Sequence, residues 1–184
     1  MVTRAENIIL ISFGYFDNDL LETVISPVSR EFNVPVRLKE GFLDLGEFYD
    51  PARRQYNGTT ILQKIDADYG SDTSKTLGLF SVDLFIPILT YIFGQAFLNG
   101  RSGIVSTYRL NNERYGLKPD NNLLAERLKK EIIHELGHLF GLVHCNDPVC
   151  VMRSGSYVED IDQKNASLCT RCKTIIITPQ DQHL

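Results

Sequence analysis

The stretch HELGHLFGLVHC, residues 134–145, constrains this chain more than any other part of it. On an α-helix four residues advance about 400°, so His134 and His138 sit about 40° apart and one turn from each other. Two imidazole nitrogens at that spacing can meet one zinc ion at about 2.0–2.1 Å. Glu135 is adjacent, where its carboxylate can reach a water on the metal without being a ligand. Gly141 lets the chain reverse sharply, so His144 can swing in as a third ligand. The fourth position then stays open, as a catalytic zinc requires. A bare H-E-x-x-H arises by chance, but this one is extended by Gly-x-x-His and uses three of the four histidines in the chain. The remaining one, His183, is next to the C-terminus and reads as solvated.

The helix that must carry these residues is found independently of them. Pro119 and Asp120 introduce a segment in which Leu124, Leu128, Ile132, Leu136 and Phe140 recur along one stripe. Gly141 is placed to end it in a left-handed conformation. Upstream, the run from Ile8 to Phe13 reads as a strand buried on both faces. Asp17 is placed to cap a helix whose face carries Leu20, Val24, Val28 and Phe32, with Pro27 expected to kink or break it. Val34, Val36 and Leu38 alternate as a strand, which makes a β-α-β opening with a parallel pair. Residues 52–66 read as a helix weakened by Asn57-Gly58. Three strands are expected over 76–86, 91–98 and 103–110, the last two forming an antiparallel hairpin through Asn99-Gly100.

The four cysteines form a second constellation, Cys145-x4-Cys150 and Cys169-x2-Cys172. Paired cysteines at such spacings suit a closed structural zinc site with four thiolates. Two disulfides, or unrelated buried thiols, are the alternatives. His144 and Cys145 are neighbours, so a thiolate-bound zinc would pin the loop that delivers the third histidine.

Bulk properties narrow the function classes. A length of 184 residues suits one domain, and a formal charge of -4 with no basic run argues against nucleic acid or an anionic membrane surface as partner. The opening MVTRAENIILISFG has too short an apolar stretch, and the wrong flanks, for a secretory signal. Asp83, Pro87 and Gln95 interrupt the longest apolar region. A cytoplasmic setting is expected, and there reduced thiols favour metal over disulfides.

With these residues in place, the sequence resembles a known family. HExxHxxGxxH followed by a methionine turn is the metzincin signature, and the added Cys-x4-Cys-x-Met and Cys-x2-Cys are similar to the archaemetzincins. The motif runs from His134 to Cys172. Its segment between Met152 and Cys169 is one residue shorter than the family pattern, which a loop deletion accommodates. The resemblance implies an α+β, zincin-like fold: a mixed, mostly parallel twisted sheet with an antiparallel edge strand, a long active-site helix and a small irregular zinc-stabilised C-terminal subdomain. It divides a single metallopeptidase domain, residues 1–184, into 1–141 and 142–184. It also implies a catalytic zinc on His134, His138 and His144, with Glu135 as general base and acid. A structural zinc would sit on Cys145, Cys150, Cys169 and Cys172, and Met152 would form the turn beneath the histidines. Some metzincins add a tyrosine after that turn. Tyr157 is the one tyrosine downstream of Met152, and it reads as a surface or packing residue.

Metzincins present an antiparallel edge strand to substrate. Residues 91–98 are the candidate here, with a purely structural hairpin as the alternative. The expected partner is a peptide or small protein, cleaved by the chain acting as a monomer. Two other functions stay open: a non-proteolytic zinc-scaffolded binding protein, and a zinc hydrolase of another amide or ester. Glu135 speaks against the first, because a purely structural site has no use for a base beside its metal.

Overall fold

Alternation along the first strand sets up two cores. In the computed structural model, which describes residues 5–177, β1 (Asn7–Phe13) buries Ile8 and Leu10 on one face and Ile11 and Phe13 on the other. His183 lies outside the described residues. Asp17 caps α1 (Asn18–Phe32), its carboxylate accepting from the Asp19 N–H at 2.9 Å. The helix runs through Pro27 without a break, so of the expected kink or break the break does not occur. Proline removes one hydrogen bond, to the carbonyl of Thr23, which is exposed to water. Leu21, Val24, Val28 and Phe32 stay buried on both sides of it. β2 (Val36–Gly41) then returns parallel to β1.

The next segment corrects the helix expected over 52–66. Residues 49–57 form a hairpin, β3 (Tyr49–Asp50) and β4 (Gln55–Asn57), and α2 spans Gly58–Tyr69. Asn57 caps this helix by accepting from the Thr60 N–H at 3.3 Å. The Asn57-Gly58 pair, which counts against a helix in its interior, is its start signal.

β5 (Ser74–Phe80) and β9 (Ser102–Ser106) complete the parallel part of the large sheet, which has the order β2-β1-β5-β9-β8. Its edge, β8 (Gly94–Ala96), is antiparallel to β9, as the Asn99-Gly100 turn requires. The strand expected over 76–86 stops at Phe80, and β6 (Leu84–Ile86) starts a second, four-stranded sheet with order β3-β4-β6-β7. Residues 91–98 likewise divide at Phe93, between β7 (Leu89–Ile92) in the small sheet and β8 in the large one. The strand expected over 103–110 ends at Ser106. Buried Asp83 holds this corner, receiving Arg109 at 2.7 and 2.6 Å and Gln55 at 3.2 Å. A long-range ion pair of this kind leaves no mark in strand periodicity.

α3 (Asn121–Leu139) starts at Asp120, whose carboxylate accepts from the Leu123 N–H at 2.9 Å. Its stripe of Leu128, Ile132 and Leu136 packs with α1 and one face of the large sheet, while α2 covers the opposite face. α4 (Val158–Gln163) and α5 (Thr170–Ile177) follow in the C-terminal stretch. Arg127 anchors this stretch to α3 through two 2.7 Å bonds to Asp162, and Glu31 of α1 accepts from the Leu168 N–H at 2.7 Å. Among the described residues no helix is long and apolar enough to cross a membrane.

Candidate metal centre

The last turns of α3 carry His134, Glu135 and His138, the first two buried. Past Phe140 the chain reverses at Gly141, whose φ of 90° is the left-handed conformation its sequence position implies. The Gly141 N–H donates to the His138 carbonyl and the Leu142 N–H to the Gly137 carbonyl, both at 2.9 Å. This reversal carries His144 back to the other two imidazoles. The ligand atoms of the three histidines all lie within 4.8 Å of one another.

Second contacts orient the rings. His134 Nδ1 stands 2.8 Å from the Val151 carbonyl oxygen, and His138 Nδ1 2.7 Å from that of Leu142. A carbonyl only accepts, so each Nδ1 carries the proton and each Nε2 presents a lone pair. The two Nε2 atoms face each other at 3.2 Å. Two lone pairs so placed repel unless a cation lies between them. Tetrahedral ligands about 2.0–2.1 Å from one zinc would stand about 3.3 Å apart, so the donor set fits that ion. Burial, followed by the charges of Lys164 and His138, holds His134 well below the usual imidazole range, and burial lowers His138 and His144 too. Neutral rings are what a metal requires.

Glu135 is buried, and its Oε2 has no hydrogen-bond partner. Burial pushes its carboxyl well above the usual range, and the charge of Glu131 adds to this while Lys164 opposes it. Gly94 of β8 faces it so closely that a Cβ there would stand 2.7 Å from Glu135 Oε1. Beneath the histidines Met152 is fully buried against Gly137, where a Cβ would overlap its sulfur.

The four cysteines also converge. Their sulfurs lie within 4.8 Å of one another, with Cys145 to Cys169 at 3.8 Å and Cys150 to Cys172 at 3.9 Å. All four are free thiols, so the disulfide alternative does not describe them. Four thiolates about 2.3 Å from one zinc would be about 3.8 Å apart, and the spacing matches. Burial pushes the Cys145 thiol up, but hydrogen bonds from the Asp147 backbone, Cys172, Cys169 and Arg171 bring it down to about 7. The Cys145 N–H donates to the Met152 carbonyl at 2.9 Å, so the thiol cluster and the methionine turn share a backbone bond.

The imidazoles open on a cleft of about 820 Å³, walled by β8 on one side and by the loop at Ser154–Tyr157 on the other. Tyr157 stands on its rim, 65% exposed, in keeping with a surface residue. The cleft contains two groups that sequence reasoning missed, Glu131 and Lys164. Burial pushes Glu131 up to about 7, with Lys164 opposing. Glu131 could have been found, because it lies one helical turn before Glu135. Lys164 lies in an irregular segment that carries no such signal.

The sequence model of peptidase family M54 matches residues 29–177, most of the chain. The chain belongs to peptidase family M54. It is 37% identical to the archaemetzincin of Pyrococcus abyssi over 174 residues, which cover 90% of this chain and 91% of that protein. Among solved structures, a zinc-dependent peptidase from Methanocorpusculum labreanum superposes with a TM-score of 0.84 at 30% identity, over 92% of this chain and 100% of that one. The archaemetzincin of Methanopyrus kandleri superposes with a TM-score of 0.82 at 34% identity, over 94% and 93%. As a member of M54, the archaemetzincins, the chain is a zinc metallopeptidase acting on peptide substrates, and it has the mixed α+β fold that its motifs imply.

Proposed function

We propose that this M54 peptidase hydrolyses peptide bonds at His134, His138 and His144, which hold its catalytic zinc, with Glu135 as general base. The facing Nε2 atoms of His134 and His138, 3.2 Å apart beside an unpartnered carboxylate oxygen, carry this reading. A zinc ion held there supplies Lewis acidity, making a water acidic near neutral pH and polarising a scissile carbonyl. Glu135 takes the proton of the attacking water and hands it to the leaving amine. Its burial makes it a stronger base than an exposed carboxylate, and Gly94 limits where its Oε1 can stand. As the free edge of the large sheet, β8 can add an extended peptide as a further strand, which lays the peptide along the cleft.

Cys145, Cys150, Cys169 and Cys172 hold a second, structural zinc in this reading, and their free thiols suit a reducing cytoplasm. The chain then forms one metallopeptidase domain that divides at Gly141, and it works as a monomer. A Glu135→Gln variant is expected to lose about 10²–10⁴-fold in kcat while keeping its zinc by elemental analysis. Activity equal to wild type would remove Glu135 from the mechanism. The same elemental analysis should give two zincs per chain. One zinc with four titratable thiols would refute the second site.

A further inference from the structure

The cleft contains two charged groups that peptide hydrolysis, as set out above, does not use. Glu131 lies on α3 one turn before Glu135, and Lys164 directly follows α4. Both line the cleft with His134 and Glu135, and both are buried, 5% and 4% exposed. Among the described residues no hydrogen bond or ion pair joins either side chain to the protein, and neither is among the fully enclosed polar atoms without a partner, so both reach the open space of the cleft. Yet the neighbouring buried cations on α3 are satisfied: Arg127 by Asp162, and Lys130 by the Ile161 and Asp162 carbonyls at 3.1 and 3.3 Å. Burying an ionisable group without a protein partner is unfavourable, and both such groups face the cleft.

Lys164 is also held firmly. Its own N–H donates to the Ile161 carbonyl and the next residue's N–H to the Val149 carbonyl. A Cβ at Gly155 would stand 3.6 Å from both Lys164 Nζ and Asp160 Oδ2, so a carboxylate of α4 lies on the same side of the ammonium without pairing with it. The charge of Lys164 bears on Glu131, and the two form no ion pair with each other.

We propose that Glu131 and Lys164 form a specificity subsite for the carboxamide side chain of a Gln or Asn residue flanking the scissile bond. The carboxamide oxygen accepts from the Lys164 ammonium, and its NH₂ donates to the Glu131 carboxylate. An ammonium only donates and a carboxylate oxygen accepts, and a carboxamide offers an acceptor for the one and a donor for the other side by side. An acidic side chain would satisfy Lys164 but face Glu131 and Glu135. A basic one would satisfy Glu131 but meet Lys164. An apolar one would desolvate both charges with nothing in return.

The inference rests on the hydrolytic reading of the cleft, and its test separates the two. Peptides identical except for Gln, Met, Glu or Lys at each position flanking the cleaved bond are compared on the zinc-loaded enzyme. At one position kcat/KM for Gln should exceed that for Met by about 10²-fold, with Glu and Lys also disfavoured. In a Glu131→Leu, Lys164→Met double variant the Gln-to-Met ratio should fall to within a few-fold of one. Replacing unpaired buried charges by apolar groups is tolerated by folding, and a ratio of rates does not depend on how much enzyme is folded. A wild type that cleaves all four peptides equally, or prefers Glu or Lys, overturns the subsite, as does a double variant that keeps the wild-type ratio. A wild type that cleaves no peptide removes the subsite and the hydrolytic reading together.

Discussion

Two glycines shape the surroundings of Glu135 and the three histidines by what they lack. Gly94 lets β8 pass Glu135 so closely that an added Cβ would stand 2.7 Å from both Glu135 Oε1 and the Ile104 carbonyl. Gly137 leaves room in α3 for the Met152 sulfur. A Gly94→Ala variant should displace the carboxylate and lower kcat by about 10²-fold with zinc content unchanged, because a shift of about 1 Å at a reacting group costs that much. A kcat within twofold of wild type would show that the contact does not hold Glu135. Gly137→Ala should cost about 1–3 kcal/mol in urea unfolding, as overpacking against Met152 outweighs the better helix propensity of alanine. Neither role is legible in the sequence, since each depends on a partner brought from elsewhere. Gly141 was legible, because the spacing between His138 and His144 itself demands a reversal.

Among the elements, the contact between the end of α2 and the start of β9 carries a pH dependence. Arg101 reaches Asp66 at 3.0 and 3.3 Å and Asp72 at 3.1 Å. The Arg101 side-chain hydrogen bond outweighs burial and holds the Asp66 carboxyl below the usual range. A carboxyl lowered in the folded state contributes stability above its unfolded pKa, and that contribution is lost as pH falls through the lower folded value. An Asp66→Asn variant should therefore melt below wild type at neutral pH. The gap should close as the pH drops below about 4, with Tm recorded across that range. A gap that persists at pH 2 would place the loss in packing instead. The same scale shows where strand periodicity runs out. Alternation locates the apolar runs, but it cannot tell that Phe80 and Phe93 are points where the chain leaves one sheet for another.

For the molecule as a whole, the histidine cluster and the cysteine cluster are one unit of backbone. His144 and Cys145 are adjacent. The Val151 carbonyl accepts from His134, and the Met152 carbonyl from the Cys145 N–H. The thiol cluster therefore supports the imidazoles from behind. A Cys169→Ser, Cys172→Ser double variant should weaken retention of the catalytic zinc by about 10–100-fold, the usual effect of losing outer support. Competition with a chromogenic chelator measures it. Unchanged retention by the three histidines would show that the centres are independent.

The sequence by itself determined the grouping of the three histidines and of the four cysteines, the long helix that carries two of the histidines and the reversal that brings in the third. These follow from spacings of a few residues, where covalent geometry leaves the backbone little choice. It also determined the β-α-β opening and the antiparallel edge, through alternation and a short turn. Only the tertiary structure decided the second sheet, the fit of Gly94 to Glu135, and the placing of Glu131 and Lys164 in one cleft. Each of these joins residues tens of positions apart, and their apposition depends on how layers pack, which no local period encodes.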